Sequence, residues 1–194
     1  MIMKRVVLVL TATLAMAWGV VVLLSWLLSA MMVHGVRSLL SGEGIRWLFA
    51  HFSEGISSPV LVWLLLVAIA FGTIRGSQLF SGDGHYRRKT ALRMALLLLS
   101  LYVAVIALLT LPPHAVLLSA TGRLADSPFS RALVPMACCG VVLVGVAYGL
   151  VARTFESLSN IVDAMLGGLR AAAPLLLLYL IAAQMLQALA YVFL

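Results

Sequence analysis

Charge is what this sequence has least of. Asp and Glu number six and Lys and Arg thirteen, so only 10% of the 194 residues are charged. Soluble domains carry about a quarter. None of these charges falls within five apolar stretches, 6–33, 59–74, 94–111, 132–152 and 171–194. The chain is 64% hydrophobic, with a mean hydropathy of +1.16. A chain this short cannot hide so much apolar surface from water, which excludes a soluble globular domain. Cysteine is nearly absent too: Cys138 and Cys139 are adjacent, inside one apolar stretch. Neighbouring cysteines bridge only with strain, and no further ligands lie nearby, so neither a disulfide framework nor a metal site is expected. The four histidines, His34, His51, His85 and His114, are scattered over helix ends and loops. No Ser-His-Asp set, HExxH or phosphate-binding loop occurs, so no catalytic residue, enzyme activity or cofactor is expected.

What is present is membrane-spanning pattern. A hydrocarbon core takes about 20 helical residues, and the five stretches show no period-2 alternation, which favours helices over barrel strands. The first follows a basic "MIMKR", but its length and the four spans after it argue for a retained helix rather than a cleaved signal. With a cytoplasmic N-terminus, nine of the thirteen basic residues fall inside, leaving Arg37, Arg46, Arg123 and Arg131 outside. The positive-inside rule therefore gives N-in, five spans and C-out. The run "HYRRKTALR", with Arg87, Arg88 and Lys89, reads as a topology anchor against the lipid bilayer, and nucleic acid is not an expected partner.

Two connections are amphipathic. In "GIRWLFAHFSEGISSP", Ile45, Leu48, Phe49, Phe52 and Ile56 recur at helical spacing, and Trp47 suits a headgroup interface. In "RTFESLSNIVDAMLGGLR", Phe155, Leu158, Val162, Met165 and Leu169 do the same. Each follows a long span and leads into a proline, Pro59 or Pro174, expected to open the next. The expected fold is an all-α integral membrane protein with about five transmembrane helices plus two amphipathic, interfacial helices. It forms one transmembrane domain over 1–194: a first unit at 6–75, a basic loop, linking helix and outer loop at 76–130, and a second unit at 131–194. The units share an order of elements but opposite membrane orientation, the pattern of an inverted-topology repeat.

Polar groups inside the spans are few. Tyr148, Tyr179, Gln184 and Gln187 are the weak candidates for substrate binding. The two glutamines share one helix face, and an interhelical hydrogen bond is the favoured alternative to a solute contact. Gly72 with Gly76, and Gly145 with Gly149, form GxxxG pairs that allow close helix packing, within the chain or in an oligomer.

Taken in order, several segments resemble the p-aminobenzoyl-glutamate transporter (AbgT) family. They are "SWLLS", "LLSGEGIRWLF", "SPVLVWLLLVAIAFGTIRGSQLF", "RRKTALRMALLLLSLYVAVIALLTLPP", "TGRLADSPFSRALVP", "VAYGLVARTF" and "MLQALAYVF". The Leu-Pro-Pro exit and Ser-Pro-Phe entry are the sharpest part. Arg75 and Ser77–Leu79 depart from the family's ending of that span. The resemblance implies a transporter in a bacterial inner membrane, working as a homodimer or with a partner membrane protein. It also implies a short form that keeps the scaffold and lacks both re-entrant hairpin regions that bear the substrate site. A scaffold-only dimeric protein or transporter subunit with no autonomous transport is the alternative. The end on "YVFL", without a polar tail, leads to the expectation of a truncated longer gene.

Overall fold

The computed structural model describes residues 2–32, 35–80, 86–110 and 128–193. Among them are seven helices and no strand: α1 (Ile2–Ala30), α2 (Gly42–Ala50), α3 (Phe52–Ile56), α4 (Pro59–Ser77), α5 (Tyr86–Thr110), α6 (Pro128–Val151) and α7 (Leu158–Phe193). Five are long and apolar enough to cross a membrane: α1, α4, α5, α6 and α7. In hydrocarbon each backbone N–H and C=O must be bonded internally, and a helix does this within one segment. Pro59 and Pro128 occupy the first positions of α4 and α6, where a missing N–H costs nothing. The Leu-Pro-Pro and Ser-Pro junction at 111–127, with His34, His85, His114 and Arg123, lies outside the described residues.

The two amphipathic connections differ. The first is broken: α2 ends and α3 begins around His51, and α4 starts after Ser57 and Ser58. Ser41 caps α2, its hydroxyl accepting from the Gly44 N–H at 3.0 Å. The second is not a separate helix. It is the beginning of α7, a continuous helix of 36 residues with Pro174 inside it rather than at the start of a span. Proline removes one N–H and crowds the carbonyl four residues earlier. Here Ala171, Ala172 and Ala173, the best helix formers, precede it, and membrane helices accommodate such a proline without breaking.

The described chain falls into two compact units, one of residues 1–62 and 172–194, the other of 63–171. In the first, Leu39, Ala188 and Val192 form a buried cluster against Trp18, Val21, Val22, Val36, Leu48 and Tyr191. Buried Ser25 ties the returning chain to α1, accepting from the Leu39 N–H at 3.2 Å, and the Arg37 N–H donates to the Val192 carbonyl at 3.1 Å.

In the second unit α5 and α6 pack antiparallel. Tyr148 lies against Ala91 and Ala95, and the Tyr102 hydroxyl donates to the Met136 carbonyl at 2.8 Å. The closest approach joins α4 to the first half of α7. A Cβ on Gly72 would lie 2.7 Å from the Gly168 nitrogen and 2.8 Å from its Cα, and a Cβ on Gly168 would meet Gly72 at the same two distances. The contact face of α7 therefore carries Ala164 and Gly168, while Leu158 and Val162 of its apolar stripe are exposed. Small residues win here because lipid tails are as apolar as Leu, so packing rather than burial drives helix association. Replacing Gly168 by Leu is expected to lower stability by about 2 kcal/mol or more, the scale of overpacking. Gly167→Ala, where a Cβ meets open space, should leave the detergent melting temperature unchanged or raised.

Candidate functional site

The polar side chains of α7 converge on the interruption between α2 and α4. A broken helix leaves carbonyls and N–H groups without intrahelical partners. The Tyr179 hydroxyl donates to the Ile56 carbonyl at 3.3 Å and is also hydrogen-bonded to the Ser58 hydroxyl. The Gln184 amide nitrogen donates to the Phe52 carbonyl at 3.1 Å. With its amide oriented to satisfy both atoms, Gln187 donates to the His51 carbonyl at 3.2 Å and accepts from the Gly55 N–H at 2.9 Å. Positions 179, 184 and 187 fall within an arc of about 140° at 100° per residue, so one broad face of α7 serves all three. Gly55 is required for that approach, since a Cβ there would strike the Gln187 amide.

Around this clamp the chemistry is sparse. Trp47 stacks on Tyr191, ring centroids 4.5 Å apart, and on His51 at 4.9 Å. The exposed His51 imidazole lies 4.0 Å from the Glu54 carboxylate. No cluster of metal-ligating side chains occurs among the described residues, and Cys138 and Cys139 are both free.

The structure disperses the remaining residues singled out from the sequence. Tyr148 is buried in the α5–α6 core, in a different unit from Tyr179, Gln184 and Gln187. Gly72 meets Gly168, Gly76 meets Ala164 and Phe155, Gly145 meets Thr73, and Gly149 meets Phe155. All four are thus in contact with their own chain. Phe155 is the plug between two of them, 4% exposed in the turn before α7. Arg88 donates to the Gln78 and Leu79 carbonyls, at 3.1 and 2.9 Å, just past the C-terminus of α4. A guanidinium there meets carbonyls that have no helical partner and the negative end of the helix dipole. Lys89 is exposed, and Arg87 lies in the first turn of α5. Gly55, Ser58 and Gly168 were missed by sequence reasoning, and Phe155 was read only as part of an apolar helical stripe. The signal for the first two was the Gly55–Pro59 stretch, "GISSP", which is rich in helix-ending residues.

Seven helices and no strand among the described residues, five of them of membrane length, define an integral membrane protein. The AbgT putative transporter family matches residues 81–193, more than half of the sequence. The chain belongs to that family. A similar solved structure is described as "Crystal structure of the Alcanivorax borkumensis YdaH transporter reveals an unusual topology". It superposes with a TM-score of 0.76 at 16% identity, covering 94% of this chain and 70% of that one. The likeness is therefore one of fold. No curated protein matches the chain.

The clamp makes a specific expectation. Gly55→Ala should destabilise the protein by about 1–3 kcal/mol by pushing on the Gln187 amide. In a Gln187→Ala background the same change should cost about 1 kcal/mol less, a coupling that a double-mutant cycle of denaturation in detergent measures. Additive effects would mean that Gln187 does not hold the break.

Proposed function

We propose that this protein serves transport of p-aminobenzoyl-glutamate or a related antimetabolite, as an oligomer or with a partner membrane protein. Membership of the AbgT putative transporter family carries the reading. The fold shared with a transporter structure supports it. The proposed setting is a bacterial inner membrane with the N-terminus cytoplasmic and the C-terminus outside, drawn from the excess of basic residues on the inner side. In this reading 6–75 and 131–194 are inverted units joined by the span at 94–111, and the substrate-bearing hairpins of the family come from elsewhere in the assembly.

A second reading has its own support. Tyr179, Gln184 and Gln187 are bonded to the backbone of residues 51–58, and Tyr148 is buried in apolar surroundings. Three of the four are thus occupied by bonds within the chain. That favours a scaffold or transporter subunit with no autonomous transport.

Reconstitution separates the two. Purified chain in liposomes, under an ion gradient or membrane potential, is expected to take up labelled p-aminobenzoyl-glutamate saturably if it transports alone. No uptake by the chain alone, restored by a co-purifying membrane protein, would establish the subunit reading. Reporter fusions at the two termini check orientation: the N-terminal reporter should read cytoplasmic and the C-terminal one external.

A further inference from the structure

The second unit carries a cavity of about 260 Å³ beside the contact of α4 with α7. Phe71 and Arg75, one helical turn apart on α4, border it together with Gly167 and Ala171 of α7. The cavity is open at Gly167, where an added Cβ would meet nothing within 4 Å. Glycines alone select no ligand, but the charge beside them does. Arg75 is exposed in the last turn of α4, close to the end of the apolar span Pro59–Ser77. It has no hydrogen bond or ion pair among the described residues. No acidic side chain borders the cavity, since the exposed Asp163, next to Ala164, points about 100° away around α7. Further cations gather at the same end of the unit. Arg88 bonds the Gln78 and Leu79 carbonyls, Lys89 follows it, and Arg153 lies in the turn whose Thr154 hydroxyl reaches the Ser77 carbonyl. Glu156 and Asp163 are the acidic residues in the described part of this unit.

We propose that this groove binds one anionic phospholipid, its phosphate on the Arg75 guanidinium and an acyl chain along the glycines. The two parts of the site select the two parts of that molecule. A guanidinium so near the end of a span reaches headgroup level, where its forked N–H groups match phosphate oxygens. Basic pockets between membrane helices are a recurring place for anionic headgroups. The rest of the lining is a phenyl ring, methyl groups and bare glycine backbone, which suits a hydrocarbon chain and offers a soluble anion nothing more. A cavity of about 150 Å³ accommodates benzene, so this one has room for the upper segment of one chain. A zwitterionic headgroup would bring its ammonium among Arg88, Lys89 and Arg153, with no carboxylate at the cavity to receive it. A second copy of the chain fits less well. A two-fold contact centred on this groove would set Arg75 against its own counterpart. The site uses neither the clamp on α7 nor any candidate substrate residue, so it stands apart from the transport reading.

Native mass spectrometry of the full chain in mild detergent, titrated with dioleoyl phosphatidylglycerol or dioleoyl phosphatidylcholine, counts the lipids retained. One phosphatidylglycerol per chain is expected to bind at least about fivefold more tightly than phosphatidylcholine, the effect of one cation at the membrane surface. Arg75→Gln should weaken phosphatidylglycerol by about the same factor, whereas Arg93→Gln, at an exposed cation of α5, should not. Gly167→Leu, whose side chain enters the open groove, should weaken it as well with the melting temperature kept. Arg75→Gln, at an exposed side chain, carries the test on its own if the leucine variant folds poorly. Displacement of the lipid by glycerol 3-phosphate would make a free phosphate compound the ligand and overturn the proposal. Equal retention of the two lipids would overturn it too, as would equal losses in Arg75→Gln and Arg93→Gln. So would a dimer that Gly167→Leu splits without loss of lipid.

Discussion

A polypeptide in hydrocarbon has no water with which to bond its backbone, so wherever lipid surrounds a helix end its polar groups must be bonded within the protein. Long helices meet the demand alone. Trouble arises where a helix stops, and the main stop among the described residues is the passage from α2 through α3 into α4. There the chain answers with side chains from α7: a tyrosine hydroxyl and two primary amides bonded to four backbone groups and one serine. Amides suit the task because each carries donors and an acceptor, so Gln187 can satisfy a carbonyl and an N–H together. Polar residues in a membrane helix are expensive when idle. Here they carry the geometry of a break, and α7 in turn acquires a fixed register against it.

The second unit meets a different demand. Without a hydrophobic force between helices, attraction must come from close contact of backbone and small side chains. Gly72 and Gly168 let α4 and α7 touch backbone to backbone, while Phe155 covers Gly76 and Gly149 and closes the turn from α6. The turn is held as well: the Thr154 hydroxyl is within bonding distance of the Ser77 and Gly149 carbonyls, at 3.3 and 3.1 Å. A large aromatic and four glycines thus form one packed device. Its parts lie far apart in sequence, at 72–76, 145–149 and 155–168.

This contrast explains what could be read from the amino-acid order. Spans and helical class were legible because hydropathy acts residue by residue. The start of α4 was legible too, since proline at a first helical position is a local rule. The fate of Pro174 was not. Proline opens one helix and lies inside another, and the choice depends on whether flanking residues can continue the helix. Ala171–Ala173 weigh towards continuation, yet only against the cost of the lost bond, a comparison that spacing alone does not make. Gln184 and Gln187 were visible as a pair on one face, but not their partners, because those partners are backbone atoms with no side-chain signature. The glycines were visible as GxxxG pairs. Gly168 was not, since the residue opposite a close approach obeys no pattern of its own.

The occupied state of these polar groups constrains where a solute could be recognised. Recruiting Gln184 to a ligand would cost the hydrogen bond that it gives the Phe52 carbonyl, about 0.5–1.5 kcal/mol. Recruiting Gln187 would break its bonds to the His51 carbonyl and the Gly55 N–H, which stay bonded to each other at 3.1 Å. A solute bound through them must therefore exceed that loss or reseal the break with its own polar atoms. By this reasoning the groups most conspicuous in the sequence are the least available in the fold.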